Sequence, residues 1–200
     1  MDWLNEATPE NMSFYLVEVK AVRIGNSPYA PLFTVLVSPD EQTREIGETK
    51  KELAERHHKR LEFWTTLLKR SQSKTQLFSG KSPSIKHWLG VDAGRSGITI
   101  NYHVTKDDAA LQLYIDTGVY DKNKAIFDTL YLERDTIELE MGEELDWRRL
   151  DDKRASHITK RIEGFGSLNE PERWPELQEI MIDAMIIFDK VFRGRIAKIR

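Results

Sequence analysis

The sequence predicts an α+β fold: a mostly antiparallel sheet packed against three main helices, with a separate N-terminal β-hairpin. Three observations predict it. Runs rich in β-branched and aromatic residues are joined by links too short for a crossover helix, such as Lys106-Asp107-Asp108. Long stretches repeat their apolar residues at spacings of three and four, as helices do. The first 42 residues, mostly acidic and ending at a Ser-Pro-Asp break, stand apart from the rest of the chain.

Each element has its own warrant. Thr8-Pro9-Glu10 places a proline early in a helical start or turn. Phe14 to Ile24 is a strand, Gly25-Asn26-Ser27-Pro28 supplies turn residues, and Leu32 to Val37 returns as its partner. Thr43 to Gln72 is a long helix in which Leu53, His57, Leu61, Trp64 and Leu68 share one side. Residues 71–85, small, polar and broken by Gly80 and Pro83, form an exposed loop or linker. Lys86 to Val91 and Ser96 to Thr105 are strands around a Gly94-Arg95-Ser96-Gly97 turn, and Ala109 to Ile115 is the next strand. One helix is expected from Asp121 to Met141, with Phe127, Leu130, Tyr131, Arg134 and Ile137 on one side and Gly142 ending it. Two more strands, Glu144 to Arg149 and Ala155 to Ile162, precede a last helix from Trp174 to Ile199. Two domains result, 1–42 and 43–200.

Composition narrows the function. With 30 basic and 33 acidic side chains, the net charge of -3 argues against a coat of basic surface for bulk nucleic-acid binding. The absence of cysteine excludes disulfides, thiolate catalysis and zinc held by sulfur. No apolar run is long enough to span a bilayer, and the opening residues lack signal-peptide character. The expected setting is therefore cytoplasmic, without a membrane partner.

Several residue patterns invite chemistry. Glu18-Val19-Lys20 places a carboxylate and an amine on the same side of a strand, as in PD-(D/E)XK nucleases, where the carboxylate helps hold a divalent metal. Too little chain lies ahead of that strand to furnish the second carboxylate such a site needs. His57 and His58 diverge on their helix, whereas His87, His103 and His157 could meet across strands but lack a metal-ligand spacing. No metal or cofactor is expected, and no catalytic residue is assigned. The Gly94–Gly97 turn could cradle a phosphate with Arg95, or simply join strands. Basic residues gather at Lys153, Arg154, Lys160 and Arg161, and again at Arg193, Arg195, Lys198 and Arg200. Alternation puts Lys153, His157 and Arg161 on one face and Arg154 and Lys160 on the other. The terminal cluster also suits the negative end of a helix dipole.

Beside these readings stands a family likeness. The run FYLVEVKAVRIGNSPYAPLFTVLVSPD resembles the closing hairpin of a PD-(D/E)XK nuclease-like domain. The remainder, carried by LEFWTTLL, KHWLGVDAGRSGITINYHV, LQLYID and RWPELQEIMIDAMIIFDKVF, resembles domain of unknown function 4268, a bacterial and archaeal module. The resemblance implies a non-catalytic, nucleic-acid-associated accessory to a nuclease-like system. DNA or RNA would be touched by Arg95, Lys153, Arg154 and Lys160. The alternative is a protein-interaction or self-assembly module docking through the hairpin and Leu61 to Leu68, with an upstream nuclease-like domain or a second copy as partner. That reading expects an exposed apolar patch around Trp64 or Trp174. A metal-dependent nuclease acting through Glu18 and Lys20 is the third.

Overall fold

The computed structural model describes residues 16–37, 41–165 and 167–199, so the helical start at Thr8-Pro9-Glu10 and the strand residue Phe14 lie outside the described residues. Two compact units divide the chain, residues 1–56 and 57–200. In the first, β1 (Leu16–Val22) pairs antiparallel with β2 (Ala30–Val37), Glu18 opposite Thr34 and Val19 opposite Phe33. Helix α1 (Glu41–Ser71) begins in this unit and runs into the second.

The second unit is built on a five-stranded antiparallel sheet. Its strands are β3 (Trp88–Asp92), β4 (Ile98–Val104), β5 (Ala109–Ile115), β6 (Asp146–Arg148) and β7 (Ser156–Ile162), in the order β3-β4-β5-β7-β6. Period-two alternation splits every strand. One face carries Leu89 and Val91, Ile98, Ile100 and Tyr102, Leu111 and Leu113, Ile158 and Ile162, all buried. Against it pack the second half of α1, then α2 (Tyr120–Tyr131), α3 (Arg134–Met141) and α4 (Trp174–Ile196), through Phe63, Trp64, Phe127, Ile137, Met181 and Phe188. Burying each such side chain stabilises the fold by roughly 1.5–3 kcal/mol. Polar ties fix the layers: the Trp64 indole donates to the Lys86 carbonyl at 2.9 Å, and the Gln178 amide donates to the Phe63 carbonyl and Thr66 hydroxyl. The described residues are thus α+β, four helices against one face of a five-stranded sheet, with a separate two-stranded hairpin.

Four expectations need correction. The buried side of α1 is Phe63, Trp64, Leu67 and Leu68, while Leu53 and Leu61 are exposed. Trp64 and Leu68 belong to the expected stripe, but the core also takes Phe63 and Leu67, each one position away. The helix expected from Asp121 to Met141 is two. Leu132 and Glu133 break it, with the Glu133 N–H bonding the Leu130 carbonyl in a tightened last turn before α3 starts. The break lets Phe127 and Leu130 face the sheet while Ile137 packs with the helices. Residues 71–85 are no free linker, because Phe78 is buried with its ring 4.7 Å from that of Tyr102. Finally, Trp64 and Trp174 are both buried, so neither ring offers an exposed docking surface. Gly142 does end α3, in the left-handed conformation.

Candidate nucleic-acid interface

The other face of the sheet has a different composition. Strand register lays its side chains in three rows running across the strands. The first is Trp88, His103, Ala110, Arg161. The second is Gly90, Asn101, Gln112, Thr159, Asp146, and the third is Asp92, Thr99, Tyr114, His157, Arg148. Amides and a hydroxyl fill the middle row; rings and guanidinium groups occupy the rows beside it.

Aromatic surface is available here. Trp88 and Tyr114 are 38 % and 37 % exposed, on strands β3 and β5. The Lys86 ammonium lies 4.9 Å from the Trp88 ring centre, a cation–π contact, and the His87 and His103 rings meet edge to face at 4.9 Å. A shallow hollow of about 170 Å³ opens beside them, lined by His103, Gln112, His157, Thr159, Arg148 and Arg161.

Cations edge the hollow, partly restrained by acids. Arg148 holds Asp146 at 2.9 Å, and Arg161 reaches Asp146 and Asp108 at 3.5 and 3.7 Å. The bond from Arg148 is the main reason the Asp146 carboxyl sits below its ordinary range. The three histidines are pushed the other way from protonation. Burial brings His103 down to about 4, helped by His87 and His157 nearby. Burial, then Arg148, lowers His157, and burial, then Arg60, lowers His87. At neutral pH these rings are uncharged, flat and polar-edged.

Asn101 is nearly buried although it stands on this face, and its Oδ1 has no hydrogen-bond partner. Its side chain lies in the notch left by Gly90, where a Cβ would come 1.9 Å from that oxygen.

The residues singled out from sequence scatter. Arg95 donates to the Ile199 carbonyl beyond the end of α4, so its guanidinium is taken up by the chain and the Gly94–Gly97 turn joins β3 to β4. Arg154 grips Asp116 through two bonds of 2.7 Å. Lys160 points to the core side with Ile158 and Ile162, is 9 % exposed and pairs with Glu143. Only Lys153 keeps to the exposed side near the open face, close enough to His157 to lower its pKa. In the terminal cluster Arg193 is tied to Asp189 and Arg195 to Glu133 and Glu140, while Arg200 lies outside the described residues. Glu18 and Lys20 pair with each other at 2.8 Å on β1. Among the described residues no group of three or more histidine or carboxylate side chains is placed to hold a metal ion. His87, His103 and His157 do converge, as rings and not as ligands. The signal for this surface was the polar half of each alternating strand, read across strands through the register that the tight Lys106–Asp108 link sets.

Fold and surface define a class: a one-sided antiparallel sheet module, helices behind and a polar, aromatic face in front. The model of the family described as Domain of unknown function (DUF4268) matches residues 59–196, and the chain belongs to that family. Comparison with curated proteins and with solved structures finds no match to this chain. Among the described residues no helix is long and apolar enough to cross a membrane.

Proposed function

We propose that the second unit is a non-catalytic nucleic-acid-associated accessory module that takes single-stranded DNA or RNA on the open face of its sheet. The observation supporting it is the three-row arrangement, in which Trp88 and Tyr114 offer stacking surfaces on either side of a hydrogen-bonding row. Unpaired bases stack on aromatic rings, and a sheet face holds several such rings at once. Gln112, half-buried on the middle row, supplies a donor and an acceptor for base edges, and Arg148, Arg161, Lys86 and Lys153 supply cations for phosphates. A duplex, with its bases already stacked, cannot use the rings. The accessory role beside a nuclease-like partner rests on the likeness of the hairpin sequence alone.

Fluorescence anisotropy with labelled single strands and duplexes at two salt concentrations tests this reading. Single strands should bind more tightly, with affinity falling as salt rises because phosphate contacts release counterions. Trp88→Ala and Tyr114→Ala should each weaken single-strand binding by about 1–3 kcal/mol. No binding of either form at low salt would end the proposal.

A further inference from the structure

The hairpin poses a separate question from the sheet face. A lone two-stranded ribbon is marginally stable in water. Here β1 and β2 carry Val17, Val19, Phe33 and Val35 on one face, the last three 60 %, 64 % and 56 % exposed. The outer edge of β1 pairs with no strand among the described residues. The two edges are not equivalent. β2 contains Pro31, which has no N–H to donate, whereas β1 offers seven residues without a proline.

We propose that β1 recognises β1 of a second copy of this chain, pairing antiparallel about a two-fold axis at Val19 and joining the hairpins into a four-stranded sheet. The charge pattern selects this partner. With Val19 opposite its own copy, Glu18 of each chain faces Lys20 of the other, so two opposite-charge pairs form. The remaining pairs are apolar on apolar: Val17 with Ala21 and Leu16 with Val22. Centring the axis on Glu18 or on Lys20 would set like charges face to face. A slip by one residue would turn each charged side chain towards the opposite face. Within one chain Glu18 and Lys20 already pair at 2.8 Å on a shared face, which places both groups for exchange across the axis. A lysine on an edge strand normally discourages pairing. In this register it is answered by the glutamate of the other copy.

Sedimentation velocity of the full chain at tens of micromolar tests the pairing. The unaltered chain should dimerise. Glu18→Lys and Lys20→Glu each put two like-charge pairs across the axis and should lower the association constant roughly tenfold or more. An equimolar mixture of those two variants should regain association, because each reversed charge then meets its opposite, and the recovery should fade at high salt. Val19→Lys, at a 60 % exposed position, should also give monomers, with an unchanged circular dichroism spectrum showing that the fold persists. A monomeric unaltered chain would overturn the proposal. So would a dimer indifferent to both reversals, or a mixture that stays monomeric.

Discussion

Lys124 shows how much one side chain can organise. Its ammonium is buried in α2, and its three N–H groups are shared among four acceptors at 2.6–3.0 Å, the carbonyls of Arg149, Leu150 and Ala155 and the Ser156 hydroxyl. Leu150, which a side chain normally keeps out of the left-handed region, sits there at φ 55°. The β6–β7 connection is thus wrapped around a positive charge, and burial lowers the pKa of that charge. Lys124→Met should cost about 3 kcal/mol by urea unfolding, since several carbonyls lose a charged donor. Arginine should not rescue it, because a planar guanidinium cannot replace a compact three-donor ammonium. His103 makes the second prediction at this scale. Its pKa in the fold is about 4 against an ordinary 6.5, so the fold favours the neutral ring. The stability it contributes is complete above pH 6.5 and is lost as the pH falls towards 4. Melting temperature should therefore decline over that window, and His103→Gln should flatten the decline.

At the scale of elements, turns and breaks carry the specificity. Gly97 occupies the left-handed region at φ 82°, and a Cβ there would lie 2.5 Å from the Thr117 Cα. Gly97→Ala should destabilise by more than about 1 kcal/mol, read as a lower urea midpoint, because neither the conformation nor the space admits a methyl group. The same closeness lets the Asp116 N–H bond the Gly97 carbonyl at 2.7 Å, locking the β3–β4 turn to the end of β5. The split between α2 and α3 belongs here too. No proline or glycine marks it in the sequence. The break arises from where each half must bury its apolar residues, which is information held by the sheet and by α4.

Across the whole molecule, what was legible depended on how local its cause was. Strand β5 matched its expected limits, Ala109 to Ile115, because alternation and a three-residue link define it without outside help. The same alternation set Lys160 on the face opposite Arg161, but its burial there runs against the nucleic-acid contact expected of it. Its pairing with Glu143, and the capture of Arg95 and Arg154 by Ile199 and Asp116, join residues far apart in the chain and left no mark in the local pattern. The open face lies between these cases. Each polar residue was visible on its strand, but the rows form only when β7 lies beside β5, a partner well separated from it in the sequence. One-sided packing also predicts separable effects. Trp88→Ala and Tyr114→Ala should shift unfolding by less than about 1 kcal/mol while impairing binding, since neither residue supports the helices.

A scaffold upholstered on one side leaves the opposite surface open to evolutionary drift. Related chains could exchange rings, amides and guanidinium groups along those three lines while the buried layer behind continues to specify the same shape.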